Sequence, residues 1–408
     1  MQSRRAFLAG AVAAPAVMKS ANEKRGYRWE EIEKILARGD LKGRLTRDDL
    51  PTPALLLDLD AFEDNVARMF RFLKERNRAV RPHGKTHKCS EIAKYLVRQG
   101  AAGACAAKIG EAEAFARDGV RGILLTTPPV GRFRVERAVR LASKAPDTIF
   151  AVDSEQNARD LNEATGARRL RLNLAIDIHF GRTGVLPGEP AAALAEKIAS
   201  LPHARFAGIQ AYSGAASHTV GFENRKRFSV EAMSQAVETR RLLEKKGIAC
   251  PLVSGGSTGT YNIDSEIDGV TEIQPGSFMF MDLDYNRIGG ADGPVYRDFK
   301  NSLTVLTTVI SRPTADVAIV DGGLKAFSTD KPIVPAAKGV EGVTYSWAGD
   351  EHGRLAAAAG PAPVEVGDRI EFIIPHCDPS VNLYDRIFCL RGENVEAAWR
   401  ISARGLSQ

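Results

Sequence analysis

Residues 54–77 read ALLLDLDAFEDNVARMFRFLKERN, a short apolar run followed by a polar turn and a helical pattern. Positions three or four residues apart in this helix are apolar, as expected for one buried face; they are Phe62, Val66, Met69 and Leu73. The same unit of strand, turn and helix then recurs along the chain. The further strand-like runs are 79–85, 103–107, 122–127, 148–153, 169–177, 204–210 and 251–255.

Eight strands that alternate with helices or turns indicate parallel pairing with helical crossovers. Eight such units can close into a TIM-type (β/α)8 barrel, whose active site lies at the carboxyl ends of the strands. We therefore predict an α/β fold with a barrel over residues 52–287. A doubly wound open sheet is the alternative that the pattern alone leaves open.

The pattern changes from about residue 288, where helical periodicity stops and Gly, Pro and charged residues separate short β-like runs. These runs are 298–310, 316–321, 342–347, 369–374 and 387–390. We predict a second, smaller and mostly β domain over residues 288–408, and segment 22–51 is a candidate to join it. The division suits a chain of 408 residues, because single cores stop growing at about 250–300 residues.

The N-terminus combines a twin arginine, in Ser3-Arg4-Arg5-Ala6-Phe7-Leu8, with a weakly apolar stretch and small residues up to Ala21. This pattern is typical of a twin-arginine export signal over residues 1–21. A basic terminus without that role is the alternative. We expect a periplasmic protein that is exported already folded, and a cytoplasmic one if the segment is not a signal.

Charge and composition exclude several classes of protein. The net charge of +6 includes three charges in residues 1–21, so the rest of the chain carries +3. No long basic run follows, which argues against nucleic-acid binding. No segment has the roughly 20 apolar residues that a membrane span needs. The five cysteines are scattered without a CxxC pair, which predicts neither a disulfide framework nor a zinc ribbon.

The second strand-like run ends in Arg81-Pro82-His83-Gly84-Lys85-Thr86-His87-Lys88. If the run stays extended, His83, Lys85 and His87 point to one side of it. Burial disfavours the ammonium form, and a desolvated lysine is a better nucleophile toward a carbonyl. Lys85 is therefore a candidate nucleophile, with a solvated basic strand end as the alternative.

The loop Ser254-Gly255-Gly256-Ser257-Thr258 follows the last apolar run. Glycine lets backbone N–H groups approach an anion closely, and barrels often bind phosphate in the loops after strands seven and eight. Gln274-Pro275-Gly276-Ser277 offers further backbone donors. The two segments predict a phosphate site, although loops rich in Gly and Ser also occur without one.

The β domain contains Pro375-His376-Cys377-Asp378-Pro379. On an extended segment His376 and Asp378 would lie on one side and offer an imidazole and a carboxylate. Such a pair suits a divalent ion such as Mn²⁺, Mg²⁺ or Zn²⁺, with water or substrate at the remaining positions. An ordinary turn is the alternative.

Together these segments resemble those of D-threonine aldolases and the related eukaryotic-type D-serine dehydratases. The likeness is carried by the lysine segment 81–88 and covers essentially residues 50–408. The other matching motifs, in chain order, are 177–183, Gln210-Ala211-Tyr212, Ser254-Gly255-Gly256, Gln274-Pro275-Gly276 and 376–385. The resemblance implies the alanine-racemase-like fold, a pyridoxal-phosphate (β/α)8 barrel with a β domain, and it implies a homodimer.

The resemblance also implies residue roles. Lys85 would carry pyridoxal 5′-phosphate as a Schiff base, and His376 and Asp378 would bind a divalent metal. His218 would be the catalytic base, with a surface histidine at a helix start as the alternative. The implied cofactor-binding residues besides Lys85 are Arg182, Tyr212, Ser254, Gly255, Gly256, Thr258, Gln274, Gly276, Ser277 and Tyr384.

Three of these positions carry further information. Gln274 stands where the racemases place an arginine against the pyridine nitrogen, so the resemblance implies different cofactor electronics. Arg182 is a pocket arginine, with an ion pair to Asp177 as the alternative role. Asp378 occupies the second metal position, where the aldolases tend to have Asp and the dehydratases Cys, and it therefore favours the aldolase.

The implied reaction is metal-dependent retro-aldol cleavage of a small-molecule D-β-hydroxy-α-amino acid to glycine and an aldehyde, as in D-threonine aldolase, a carbon–carbon lyase. Dehydration of D-serine or D-threo-3-hydroxyaspartate is the alternative. Racemisation is disfavoured, because residues 321–328 lack the tyrosine that racemases use as a second base. A non-catalytic pyridoxal-phosphate-binding protein is disfavoured, because such proteins lack the β domain.

Overall fold

The computed structural model describes residues 29–39, 41–166 and 168–408. The predicted export signal over residues 1–21 lies outside the described residues. Within these ranges, no helix combines the length and the apolar character that a membrane crossing requires.

The strands are numbered in chain order. They are β1 (Ala54–Asp58), β2 (Ala79–Val80), β3 (Ala104–Ala106), β4 (Ile123–Leu125), β5 (Ile149–Val152), β6 (Leu172–Asp177), β7 (Ala204–Ala211), β8 (Leu252–Gly255), β9 (Glu272–Ile273), β10 (Leu303–Thr314), β11 (Val317–Val320), β12 (Ala336–Ala337), β13 (Val343–Trp347), β14 (Gly353–Ala357), β15 (Arg369–Ile373), β16 (Arg386–Arg391) and β17 (Asn394–Arg400).

The helices are numbered in the same way. They are α1 (Trp29–Arg38), α2 (Leu59–Glu75), α3 (Ser90–Arg98), α4 (Ile109–Arg117), α5 (Arg132–Lys144), α6 (Glu155–Gly166), α7 (Glu189–Ser200), α8 (Gly214–Ser217), α9 (Phe222–Lys245), α10 (Tyr261–Asp264), α11 (Leu283–Asn286) and α12 (Cys377–Val381), with 3₁₀ turns at Arg47–Asp49 and Ser277–Met279.

Eight parallel strands form the larger domain in the order β2-β9-β8-β7-β6-β5-β4-β3. A parallel bridge between His83, just beyond β2, and Cys105 of β3 joins the two edges and closes the sheet. Helices such as α4 and α7 pack against the strands that they connect. The predicted (β/α)8 barrel with a smaller, mostly β domain is confirmed.

The barrel does not start where the sequence pattern placed it. β1 pairs antiparallel with β10 and parallel with β16, so it is a strand of the β domain. The eighth barrel strand is instead β9, which lies between β8 and β2. A run of buried apolar residues looks alike in a barrel and in the middle of a mixed sheet. The two-residue strand β9 contains a glutamate and has no apolar run to detect.

The β domain is a nine-stranded sheet in the order β13-β14-β11-β10-β1-β16-β17, with β15 on β10 and β12 on β15. Strands β12, β14 and β17 were not predicted, because their residues are mostly Ala or charged and show no clear alternation. The N-terminal segment packs here: Leu41, Leu45 and Leu50 share a buried cluster with Leu306 and Phe388.

The helix α11 joins the two domains at the carboxyl end of the barrel. Asp282 caps this helix, and its Oδ2 also accepts the backbone N–H of Cys377 at 2.8 Å. The next two N–H groups along the chain donate to the carbonyls of Ile374 and Pro375 at 3.1 and 3.0 Å. Three hydrogen bonds therefore hold residues 374–377 of the β domain against the barrel.

We expect Gly103→Ala to destabilise the protein more than Gly119→Ala. Both glycines have positive φ, +143° and +89°, so an alanine is strained at either position; that strain costs about 1–3 kcal/mol. A Cβ at Gly103 would also collide with the carbonyl of Gly122, whereas nothing lies within 4 Å of a Cβ at Gly119. Such overpacking adds about 1–3 kcal/mol. Urea unfolding of both variants measures the difference, and equal free energies of unfolding would contradict the close approach.

Candidate active site

Lys85 lies in a tight turn at the carboxyl end of the barrel rather than on a strand. β2 ends well before it, and the Lys88 N–H donates to the Gly84 carbonyl at 2.7 Å. Because the segment does not stay extended, His83, Lys85 and His87 do not share one strand face. The turn instead lets each of the three side chains take its own direction.

The two histidines of this turn are buried and neutral. Burial lowers the pKa of His87 to about 3 and lowers the pKa of His83 well below its usual value. His87 Nδ1 accepts the Cys89 N–H at 3.0 Å, and its ring centre lies 5.9 Å from that of Phe115. His87 therefore packs against Phe115 and fixes the end of the turn.

The Lys85 amine meets a carboxylate of the β domain. Its Nζ lies 3.3 Å from Asp378 Oδ1, and the side chains are 41% and 18% exposed. Asp378 is the main reason that the pKa of Lys85 is raised. Burial would raise the pKa of Asp378, but the charges of Lys85 and His376 hold it at about 2. Lys85 is therefore a charged amine paired with a carboxylate.

His376 lies beside Asp378, with 3.8 Å between Nε2 and Oδ2. The pair is not on an extended strand, because His376 caps α12 and Asp378 is in its first turn. His376 Nδ1 hydrogen-bonds to Asp330 Oδ2 at 2.7 Å, and such a partner commonly orients a metal-binding imidazole. Two donors on this geometry fit a divalent ion completed by water or substrate. Among the residues described, no group of three or more His, Cys, Asp or Glu side chains is arranged to hold a metal.

His218 follows the short helix α8, and its Nδ1 lies 3.0 Å from Asp284 Oδ2. Asp284 is fully buried. Burial would raise its pKa, but His218, Arg287 and Lys331 together lower it. Arg287 Nε donates to Asp284 Oδ1 at 2.8 Å, and Lys331 Nζ lies 3.8 Å from Oδ2. A charged carboxylate on one ring nitrogen leaves the other nitrogen of His218 to act as a base.

Arg182 is exposed, and its guanidinium lies 5.5 Å from the centre of the Tyr212 ring. Arg182 does not form the alternative ion pair with Asp177. The Asp177 carboxylate instead accepts the Thr183 hydroxyl at 2.7 Å. Burial raises the pKa of Asp177 to about 6. The charge of Arg182 is close enough to act on Lys85, so both Arg182 and Tyr212 belong to the surroundings of the amine.

The loops after β8 and β9 contain unpaired donors. Within the part of the chain that the structure describes, four of their backbone N–H groups reach no protein acceptor; these are the N–H groups of Gly256, Thr258, Gly276 and Ser277. The Thr86 hydroxyl is buried without a partner, and a Cβ at Gly276 would press against it. Gly255, the last residue of β8, lies too close to the Ala211 carbonyl to carry a Cβ. These donors suit an anion.

Two residues that were predicted to bind the cofactor use their hydroxyls elsewhere. The Ser254 hydroxyl donates to Glu272 at 2.5 Å, inside the barrel. The Tyr384 hydroxyl donates to the Ala326 carbonyl at 2.8 Å, inside the β domain, and burial raises its pKa. In this structure neither hydroxyl is an unpaired donor for a phosphate.

Gln274 follows β9 and belongs to a buried polar chain. Its Nε2 donates to Gln210 Oε1 at 2.7 Å and to Ser254 Oγ at 2.8 Å. Glu272 accepts the Ser254 hydroxyl and is bound on both oxygens by Arg81, at 2.8 Å each. Sequence reasoning did not find this chain, because its members come from four strands or strand ends that are distant in sequence.

Comparison with known proteins assigns this arrangement to a family. The model of the alanine racemase N-terminal domain matches residues 57–284, and that of a putative serine dehydratase domain matches residues 302–390. A 3-hydroxy-D-aspartate aldolase from Paracoccus denitrificans (strain Pd 1222) is 37% identical over 366 residues, covering 88% of this chain and 94% of that protein. A D-threonine aldolase from Arthrobacter sp. is 36% identical over 359 residues, with coverage of 88% and 93%. The chain belongs to the D-threonine aldolase family.

The likeness extends to the whole architecture. A crystal structure of D-threonine aldolase from Filomicrobium marinum matches with a TM-score of 0.85 and 34% identity, covering 91% of this chain and 99% of that one. Membership of the D-threonine aldolase family places the protein among the carbon–carbon lyases of the aldolase type. The family also implies pyridoxal 5′-phosphate as cofactor.

The residues at the carboxyl end of the barrel fit this cofactor. Lys85 supplies an amine for the cofactor aldehyde. The unpaired N–H groups of the two loops and the Thr86 hydroxyl are suited to the phosphate. Gln274 Oε1 is a further buried acceptor without a protein partner. Thr86 follows Lys85 directly, and only its burial distinguishes it from a surface threonine.

Three carboxylates of the site were missed by sequence reasoning: Asp282, Asp284 and Asp330. Asp282 and Asp284 lie within the otherwise apolar segment 278–285. Carboxylates in such a segment are costly unless they are paired, and this signal could have identified them. Asp330 lies in an exposed loop, and nothing in the sequence distinguishes it from other surface aspartates.

We expect Asp378→Asn to lower the pKa of Lys85, because it removes the group that raises this pKa most. The usual effect of an adjacent opposite charge is about 1–3 pKa units. More of Lys85 would then be the unprotonated amine at neutral pH. Schiff-base formation with added pyridoxal 5′-phosphate in metal-free protein should therefore reach half its maximal rate at a lower pH.

Stopped-flow absorbance over a range of pH measures this midpoint. Asp350→Asn removes an exposed carboxylate and serves as the matched control, which should leave the midpoint in place. A midpoint that is the same in wild type and Asp378→Asn would refute the ion pair as the cause of the raised pKa.

Proposed function

We propose that this protein is a pyridoxal-phosphate- and divalent-metal-dependent aldolase that cleaves D-β-hydroxy-α-amino acids, such as D-threonine, to glycine and an aldehyde. The observation that carries the proposal is the meeting of Lys85 with the His376–Asp378 pair, where amine and carboxylate are 3.3 Å apart. An amino acid whose α-amino group takes the place of the lysine amine would bring its β-hydroxyl beside this pair.

The bound groups supply part of the chemistry: the cofactor is an electron sink for charge at Cα, and a metal on His376 and Asp378 would polarise the β-oxygen. The side chains do the rest. His218 takes the proton of the β-hydroxyl, and Asp284 holds the ring and stabilises the imidazolium. As the C=O bond of the aldehyde forms, the Cα–Cβ bond breaks and its electron pair stays at Cα. Protonation of Cα then gives glycine.

The rival reaction is dehydration, in which the Cα–H bond breaks and hydroxide leaves, giving ammonia and a keto acid. The match of residues 302–390 to the model of a putative serine dehydratase domain is the observation that favours dehydration. The two relatives described above are both named as aldolases, and this favours cleavage. One of them is named for D-threonine and the other for 3-hydroxy-D-aspartate, so both substrates belong in the test.

We expect the holoenzyme with Mn²⁺ to convert D-threonine to acetaldehyde and glycine, and to leave L-threonine unchanged. EDTA should abolish the reaction and added Mn²⁺ should restore it, because the β-oxygen loses its Lewis acid. Chromatography of amino acids and carbonyl products measures both outcomes, with 3-hydroxy-D-aspartate as the second substrate. Ammonia and 2-oxobutanoate from D-threonine would replace the aldolase by the dehydratase.

We expect His218→Ala to lower kcat by about 10²–10⁴-fold, the usual contribution of a general base. Asp284→Asn should lower kcat less and leave KM for D-threonine nearly unchanged, because the base remains but loses its orienting charge. His352→Ala, at an exposed histidine of the β domain, is the matched control. A full-rate His218→Ala enzyme would remove His218 from the mechanism.

A further inference from the structure

A short loop of the β domain is held beside the metal pair by four hydrogen bonds. The Ser328 N–H donates to Ser380 Oγ at 3.1 Å. The Ser328 hydroxyl donates to the His376 carbonyl and accepts the His376 N–H, at 3.2 Å each. Asp330 Oδ2 hydrogen-bonds to His376 Nδ1 at 2.7 Å. The next residue, Lys331, therefore extends from a backbone that is fixed next to a metal ligand.

Lys331 also lies beside the base. Its Nζ is 3.8 Å from Asp284 Oδ2, and the same oxygen lies 3.0 Å from His218 Nδ1. The side chains of Lys331 and His218 are both partly exposed. In the proposed function, the β-hydroxyl of the substrate lies between His218 and the metal pair. The other substituent of that carbon is then within reach of the Lys331 side chain.

The charge of Lys331 is not needed by the carboxylate that it approaches. Arg287 already neutralises Asp284, with its Nε at 2.8 Å and its Nη2 at 2.6 Å from Oδ1. A separation of 3.8 Å is too long for a hydrogen bond. Within the described part of the chain, the Lys331 ammonium donates no hydrogen bond to the protein. An ammonium has three donors, and those of Lys331 are available to an anion.

We propose that Lys331 binds the side-chain carboxylate of the substrate, so that the protein prefers D-β-hydroxy-α-amino acids with an acidic side chain, such as 3-hydroxy-D-aspartate. The inference rests on the proposed function and names the substrate class within it. A carboxylate at Cγ would give the ammonium a charge-assisted hydrogen bond. The methyl group of D-threonine offers no acceptor at that position.

The α-carboxylate, which every amino acid substrate has, is the other anion to consider. The cation on that side of the site is Arg182, because its charge acts on the Lys85 amine, whose place the α-amino group takes. The charge of Lys331 acts instead on Asp284, which holds the base for the β-hydroxyl. Lys331 therefore belongs to the β side of the substrate.

The test is an absorbance titration of the holoenzyme, loaded with pyridoxal phosphate and Mn²⁺, with D-aspartate and with D-asparagine. Neither ligand has a β-hydroxyl, so neither can undergo retro-aldol cleavage, and the two differ in charge but hardly in shape. In wild type we expect a dissociation constant about tenfold lower for D-aspartate than for D-asparagine, the scale of a charge-assisted hydrogen bond at a partly exposed site.

Lys331→Met should remove most of this difference, because it keeps the apolar stem and loses the charge. Lys331→Arg keeps a cation and should retain the preference. Lys197→Met, which removes an exposed lysine on α7, is the matched control and should equal wild type. If the methionine variant does not fold, Lys331→Gln gives the second reading, with the same loss expected.

Three results would overturn the proposal. The first is a wild-type enzyme that binds D-aspartate no more tightly than D-asparagine, or binds neither. The second is a preference that is unchanged in Lys331→Met, which would belong to the metal or to another cation. The third is an equal loss of affinity for both ligands in that variant, which would place Lys331 on the α-carboxylate.

The titration needs no turnover, so its result is separate from that of the proposed function. Holoenzyme that prefers D-aspartate through Lys331 but cleaves no D-hydroxyamino acid would leave this inference standing and remove the aldolase assignment. Holoenzyme that cleaves D-threonine but does not distinguish D-aspartate from D-asparagine would do the reverse.

Discussion

The contact between Lys85 and Asp378 is the constraint on which the rest of the site depends. The amine comes from the barrel and the carboxylate from the β domain, and 3.3 Å separates them. Because Coulomb interactions fall off with distance and with access of water, the two groups control each other's pKa only while the domains keep this spacing. The attachment of α11 to residues 374–377 maintains it, through Asp282 and two backbone hydrogen bonds.

The loop that contains Asp330 and Lys331 connects the metal pair, His376 and Asp378, with the surroundings of the base His218. Asp330 hydrogen-bonds to His376, and Lys331 lies 3.8 Å from the carboxylate that holds His218. One short loop of the β domain therefore touches both the metal pair and the surroundings of the base. The catalytic groups of this protein are thus held from both domains, and a displacement of the β domain would disturb the metal pair and the base together.

The barrel interior contains polar side chains that are buried and paired with one another. Glu272 is paired on both oxygens by Arg81, and Gln274 donates both amide protons to protein acceptors. A half-satisfied buried network is costly. The one unpaired oxygen of this network, Gln274 Oε1, therefore indicates that a ligand binds to it. The unpaired N–H groups of the loops after β8 and β9 likewise indicate that an anion binds there.

The sequence by itself determined the architecture and the main reactive groups, because repeating strand–helix units and motifs such as 81–88 and 376–378 are local patterns. It misplaced β1 and missed β9, because an apolar run does not specify its partner strand and a two-residue strand has no pattern. Asp284, Asp330 and Glu272 could not be assigned roles in advance, since each acts on a residue that is distant in the chain. Only the tertiary structure decided that Lys85 meets Asp378, that Ser254 belongs to the buried polar chain, and that Gln274 is left with an unpaired oxygen. These are facts about distances between segments, and such distances arise only when the two domains have packed.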